Sequence, residues 1–331
     1  MREPVLRVEN LRVEFRIRAE WYPAVDGISF ALDRDETLAL VGESGCGKSV
    51  TALSIMGLVP EPQGRVSAGR ILLDGTDLRT IDETKFEALR GDRMTMIFQE
   101  PMTSLNPVMS IGSQVAEALR VHRGMSRGDA EAKALAVLDE VKIPSAKHRF
   151  HDYPHQFSGG MRQRVMIAMA LACEPTLLLA DEPTTALDVT IQAQVLGLLA
   201  DLKGRHGMAM LFITHNLGVV AQIADRVAVM YAGQIVEEAS VHEIFTRPAH
   251  PYTRALFSAI PRMDRAEQVL AAIPGRVPPL TDMPRGCRFA PRCPLRREGC
   301  EAPQVLAAAA PQHLARCHIA TNTFARELAR A

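Results

Sequence analysis

Gly42, Glu43, Ser44, Gly45, Cys46, Gly47, Lys48 and Ser49 match G-x-x-x-x-G-K-[ST], between the apolar run "TLALV" and a helical stretch. In such a turn the glycines let consecutive backbone N–H groups curl around phosphate oxygens. Lys48 at the start of a helix is opposed by the helix macrodipole unless an anion lies there. Ser49 is placed to ligate Mg2+. A chance glycine-rich turn with an exposed lysine is the alternative, and the strand before it and the helix after it argue against that.

Further along, "TLLLADEP" ends an apolar strand with Asp181 and Glu182. Two adjacent carboxylates there are costly without a cation or a proton to share. Asp181 is expected to hold Mg2+, mainly through water, and Glu182 to orient and polarise an attacking water. Pro183 biases Glu182 away from helical geometry, as at a strand end. His215 ends "AMLFITH", where a neutral imidazole can hydrogen-bond a γ-phosphate. Gln99 ends "RMTMIFQ", where an uncharged amide can touch both metal and water. Taken singly, the histidine reads as a surface or capping residue and the glutamine means nothing. As a set, these strand ends offer polar groups along what should be one edge of a sheet, the place where α/β proteins put their ligands. The chemistry implied is hydrolysis of a γ-phosphate by positioning and charge stabilisation.

A second glycine turn lies more than a hundred residues on, in "HQFSGGMRQR". Ser158, Gly159 and Gly160 open a helix over Met161–Cys173, whose first N–H groups could hold another anion. By itself Ser158 reads as an N-cap.

These residues need a scaffold, and the chain is long enough to build one. Its 331 residues fit one large domain plus a smaller one, and 47% apolar content supports a sizeable core. Lys+Arg and Asp+Glu are both 38, so no overall field favours nucleic acid, and any phosphate must be held by local geometry. No apolar run approaches the roughly 18–20 residues of a membrane span. The N-terminal "MREPVLRVENLRVEF" alternates like a strand, which predicts no leader and a cytosolic chain. Short apolar runs without polar alternation ("RILLDG", "TLLLADE", "RVAVMYAG") alternate with helical stretches, pointing to an α/β domain with a largely parallel, buried sheet. Between Pro101 and Gln156 helical signals take over. "SRGDAEAKALAVLDEVKI" opens with a capping-box-like Ser126 and Asp129, and Ala134, Leu135, Leu138 and Val141 form its stripe. The expected organisation is an ATPase domain over 1–250, with a helical subdomain at about 101–170, and a proline-rich, irregular extension over 251–331.

The ordered set "GESGCGKS", "FQEP", "FSGGM", "LLLADEP", "TALD" and "THNLG" resembles the ATP-binding subunit of ABC transporters over about three quarters of the chain. The resemblance implies a P-loop NTPase fold with an inserted helical subdomain. It also implies that Ser158, Gly159 and Gly160 act on ATP held by the P-loop of a second subunit, in a head-to-tail dimer that encloses two ATP molecules. Gln99 then lies at the hinge between the helical subdomain and the core. Met161 stands where many members have Gln, and Thr185 where Ser is common. An aromatic residue near the N-terminus should stack on adenine. Phe15, Trp21 and Tyr22 are the candidates, with Tyr22 favoured. Cys46 within the loop predicts sensitivity to thiol reagents.

Cys287, Cys293, Cys300 and Cys317 have the spacing C-x5-C-x6-C-x16-C, without the close pairs usual in structural zinc sites. Four thiolates can also hold an iron–sulfur cluster, and disulfides are disfavoured in the cytosol. "HPYTRALFSAIPR", "IPGRVPPL" and "GCRFAPRCP" resemble the C-terminal extension of oligopeptide/dipeptide importers, a branch that includes nickel importers. That resemblance ranks a [4Fe–4S] cluster first, zinc second and free thiols third. Arg288, Arg292, Arg296 and Arg297 read as a solvating surface on this extension.

The expectation is thus the ATP-hydrolysing subunit of an importer, for peptides before nickel, peripheral to the cytoplasmic face of the inner membrane. Its implied partners are a second ATPase subunit (copy or paralogue), two membrane-spanning permeases and an extracellular solute-binding protein, with no nucleic acid. The alternative is a soluble cassette ATPase acting on DNA or ribosomes. Such proteins usually insert coiled coils, zinc modules or a second cassette, and this chain has one cassette and no long heptads.

Overall fold

The computed structural model describes residues 3–99, 104–185, 187–258 and 273–328. The chain forms two compact units, each assembled from discontinuous segments. One comprises Arg7–Ala31, Thr37–Ile71 and Ile213–Ala331, and the other Met1–Leu6, Leu32–Glu36 and Leu72–Phe212.

The first unit opens with the long strands β1 (Leu6–Ile17) and β2 (Glu20–Leu32), then β3 (Thr37–Val41), helix α1 (Lys48–Ile55) and β4 (Gly64–Leu73). β1 lies between β2 and β4. β3 is buried at all five positions, because it carries no polar alternation to offer to solvent.

The second unit holds β5 (Thr76–Asp77), α2 (Glu83–Leu89), β6 (Met94–Ile97), α3 (Ile111–Arg123), α4 (Arg127–Glu140), α5 (Ala146–Arg149), α6 (Gly159–Leu171), β7 (Leu177–Asp181), α7 (Val189–His206) and most of β8 (Ala209–Thr214). β6 runs parallel to β7 in the register Met94↔Leu177 to Ile97↔Ala180, with β8 on the other side of β7. The helices start where the sequence supplies caps. Ser126 Oγ accepts from Asp129 N–H at 3.2 Å, and Asp188 Oδ1 accepts from Ile191 N–H at 2.9 Å. The predicted stripe of α4 is shifted slightly: Ala130, Ala134, Val137 and Leu138 are buried, and Leu135 is only half-buried. The start of the expected helical subdomain, 101–103, lies outside the described residues, as does Ala186.

The chain then returns to the first unit with α8 (Leu217–Ile223), β9 (Arg226–Tyr231), β10 (Gln234–Ser240), α9 (Val241–Thr246), α10 (Pro251–Ser258), β11 (Ala307–Ala310), β12 (His313–Ala315) and α11 (His318–Leu328). β9 is parallel to β3 and antiparallel to β10. The extension is less irregular than its composition suggests, for β12 pairs antiparallel with β10 and β11 with β12. A four-alanine strand has neither β propensity nor alternation to announce it. Its pairing comes from the hydrogen-bonding edge that β10 and then β12 present.

The core of this unit joins Ala39, Val41, Val227, Val229 and Tyr231 to Tyr252 and Phe289. One buried carboxylate ties the extension to the sheet. Glu237 on β10 is fully buried and accepts from Ala249 N–H (2.6 Å), His250 N–H (2.7 Å) and His313 Nε2 (2.7 Å). Among the described residues no helix is long and apolar enough to cross a membrane.

Glu237→Ala strands these buried donors. It is expected to cost about 3–5 kcal/mol of unfolding free energy, read by urea denaturation.

Candidate functional site

The loop between β3 and α1 owes its shape to backbone that few residues can adopt. Gly47, the residue before α1, has φ +108°, and a Cβ there would lie 2.9 Å from Ala24 O and 2.7 Å from Met230 Cε. A Cβ on Gly42 would lie 2.1 Å from Met230 O. No side chain caps the N-terminus of α1. The first N–H groups of the helix therefore have no side-chain acceptor at the cap. Lys48 opens α1 and is buried, with Nζ donating to Gly42 O at 2.8 Å and Glu43 O at 3.1 Å. Those carbonyls curl the loop around the ammonium and offset the adverse helix dipole.

The same unit holds Tyr22 on β2, its hydroxyl bonded to Glu20, and Trp21, whose ring faces Arg65 at 4.0 Å. Phe15 lies on β1 and His215 directly after β8.

The acidic pair lies in the other unit. Asp181 is the last residue of β7 and buried. Glu182 takes φ +48°, a left-handed conformation, where Pro183 had suggested extended backbone. Non-glycine residues held there cost roughly 1–3 kcal/mol and persist where their surroundings over-determine them. Here Gln99 Nε2 donates to Glu182 Oε2 at 3.1 Å, and Thr185 Oγ1 donates to the same oxygen at 2.9 Å. Two sequence-expected groups, the Glu182 carboxylate and the Gln99 amide, are thus brought together, and the Thr185 hydroxyl joins them.

Ser158, Gly159 and Gly160 lie in this second unit too. Ser158 caps α6, its Oγ accepting from Met161 N–H at 3.4 Å. Gly160 meets α7 so closely that a Cβ would sit 2.6 Å from Ile191 Cγ2. The second glycine turn therefore serves helix packing in addition to any role toward a ligand.

Known proteins agree with this pattern. A family described as "ABC transporter" matches residues 25–185, and one described as "Oligopeptide/dipeptide transporter, C-terminal region" matches 236–300. The oligopeptide transport ATP-binding protein AppD of Bacillus subtilis is 52% identical over 296 residues, 89% of this chain and 90% of that one. The dipeptide transport ATP-binding protein DppD of the same organism is 51% identical over 299 residues, 90% of this chain and 89% of that one. A solved dimeric ATP-binding cassette in a post-hydrolysis state, bound to ADP and Pi, matches with TM-score 0.64 and 26% identity, over 71% of this chain and 98% of its own.

The chain belongs to the ABC transporter family. As an ABC ATP-binding subunit it shares the family's P-loop NTPase fold, and ATP hydrolysis coupled to transport is the activity of that family.

Two readings of this ABC subunit need correction. Cys46 has no exposed surface, and burial pushes its thiol up against the opposing pull of Lys48, so it is a poor target for thiol reagents. Arg288 and Arg292 do not form a solvating surface. Both are buried, Arg288 against Asp26 and Ala232 O, and Arg292 against Glu43 of the loop. Nothing in the local sequence discloses the contacts to Asp26 and Glu43, which span more than two hundred residues.

Cys287, Cys293, Cys300 and Cys317 line one small cavity together with His250 and His318. Burial pushes the Cys287 thiol up to about 11, helped by the other three thiols. Yet among the described residues no group of three or more His, Cys, Asp or Glu side chains is arranged to hold a metal ion. The expected iron–sulfur cluster, like zinc, has no support from that arrangement. His250 accepts Tyr252 N–H on Nδ1 at 3.0 Å, so its neutral ring carries the proton on Nε2, which has no partner among the described residues.

Burial lowers His250 from 6.5 to about 4. Between those values the unfolded chain binds the extra proton, so this share of stability is complete above pH 6.5 and lost as pH falls toward 4. The loss should reach about 3 kcal/mol. It is read as the difference in pH slope of urea unfolding between wild type and His250→Gln.

Proposed function

We propose that this chain is the ATP-hydrolysing subunit of a membrane importer whose solute is a peptide. The observation that carries the reading is the loop Gly42–Ser49, a glycine-shaped turn on an uncapped helix N-terminus with Lys48 curled inside it. The peptide assignment is supported by the C-terminal region matched at 236–300 and by the names of the similar proteins, which describe oligopeptide and dipeptide transport. A soluble cassette acting on DNA or ribosomes has no counterpart among them. Residues 1–250 form the ATPase body in this reading, with the helical subdomain at about 101–170, and residues 251–331 form the extension.

The loop amides of Gly42 to Ser49 and the Lys48 ammonium bind the phosphates, and Tyr22 stacks on adenine. Ser49, Gln99 and Asp181 supply a hydroxyl, an amide and a carboxylate, the hard oxygen donors that suit Mg2+. When bound, the ion would neutralise charge on the phosphate oxygens. Glu182, held by Gln99 and Thr185, orients the attacking water and polarises it, and His215 hydrogen-bonds the γ-phosphate. The Ser158–Gly160 turn of each chain acts on the nucleotide held by a second ATPase subunit, a copy or a paralogue. That dimer drives two membrane-spanning permeases from the cytoplasmic face of the inner membrane, with an extracellular protein delivering the solute.

The finer proposal for the extension is a [4Fe–4S] cluster on Cys287, Cys293, Cys300 and Cys317, with zinc as its rival. Its support is the sequence, which supplies four cysteine thiols in this extension, and not their spatial arrangement. Anaerobic preparations should contain iron and acid-labile sulfide, and zinc without iron would reject the cluster.

Lys48→Ala is expected to weaken ATP binding at least about tenfold in a nucleotide titration. Glu182→Gln should keep ATP affinity and lose about a hundredfold or more in turnover, accumulating an ATP-bound dimer visible by size-exclusion chromatography. Wild-type turnover in that variant would remove Glu182 from this role.

A further inference from the structure

We propose that Arg292, in the C-terminal extension, is a positioning residue for the phosphate loop, holding Glu43 so that the loop keeps its ATP-binding shape. The inference rests on the ATPase reading above and adds to it a residue far outside the loop motif.

The guanidinium meets the Glu43 carboxylate as a two-pronged fork, Nη1 to Oε2 at 2.6 Å and Nη2 to Oε1 at 3.0 Å. Bidentate pairing of this kind fixes orientation as well as distance. The remaining donors are also spent. Nη1 reaches Tyr231 Oη at 3.3 Å, Nη2 reaches Ile273 O at 3.3 Å, and Nε donates to Pro274 O at 2.9 Å. All five N–H directions of the side chain therefore have a partner, and the group cannot turn without breaking several bonds. Its side chain is 4% exposed, far from the screening that makes surface pairs weak.

Glu43 is gripped twice by the C-terminal part of the chain, for its backbone N–H donates to Tyr252 Oη at 2.9 Å. Tyr252 is itself fully buried against Tyr231 and Phe289. The carbonyl of Glu43 accepts from Lys48 Nζ at 3.1 Å and from Cys46 N–H at 3.3 Å. Arg292, Glu43 and Lys48 thus form one chain of contacts, in which the residue held by the arginine is the one that seats the phosphate-binding lysine. The 3-10 turn Ala290–Arg292 that presents the guanidinium is closed by Arg292 N–H to Phe289 O at 2.9 Å. A rigid base behind the fork is what a positioning role requires.

The test is equilibrium binding of a fluorescent ATP analogue with Mg2+ to the full-length chain, with melting temperature and steady-state ATP hydrolysis measured beside it. Arg292→Gln and Glu43→Gln should each raise the dissociation constant about tenfold, and the double variant should be no worse than either single one. KM for ATP should rise more than kcat falls. Arg292→Lys, which keeps the charge but not the fork, should recover only part of the affinity. Unchanged affinity in folded Arg292→Gln and Glu43→Gln, or fully additive losses, would overturn the proposal and leave a merely structural pair. Should Arg292→Gln not fold, Arg292→Lys and Glu43→Gln decide the matter. Failure of the wild-type chain to bind the analogue would overturn the ATPase reading and this one with it, an outcome distinct from a failure of the variants alone.

Discussion

A positive side chain at the N-terminal end of a helix is electrostatically misplaced, and the structure around Lys48 is organised by that misfit. The ammonium is buried against the carbonyls of Gly42 and Glu43, and no side chain caps the N-terminus of α1. Such an arrangement needs backbone shapes that a side chain would block, which is why Gly47 meets Ala24 and Met230 so closely. It also needs a rigid base. β3 supplies one through its parallel pairing with β9, and the core around Tyr231, Tyr252 and Phe289 supplies another.

The Glu182 carboxylate obeys a different constraint. Glu182 is not held by burial but by two donors converging on one oxygen, while its backbone sits in a conformation that costs energy. The adjoining Asp181 is held differently, buried at the end of β7. Two neighbouring carboxylates thus sit in different environments.

The C-terminal extension is more than an appendage. Glu237 binds two backbone amides and His313, tying the extension to β10, and Arg288 and Arg292 reach Asp26 and Glu43. Burying ion pairs seldom adds much net stability, since desolvation offsets attraction, and their best-attested value is to specify one geometry. Here the geometry specified is that of the Gly42–Ser49 loop.

Much of this was written into the chain locally. The phosphate loop, the buried strand runs and the caps at Ser126 and Asp188 depend on residues a few positions apart, so their physics is visible in order along the sequence. The likeness in motifs carried the family and the class of solute for the same reason. What the tertiary structure alone decided lies at long range. Only folding shows that Leu135 is no more than half-buried, that Glu182 adopts a left-handed backbone despite its proline, that Cys46 is shielded, and that an alanine strand completes a sheet. Only folding shows Arg292 paired with Glu43, because an arginine among prolines and other arginines looks like surface until a carboxylate 249 positions away is brought against it. Local propensity acts through neighbours in the chain, whereas burial and charge pairing act through neighbours in space.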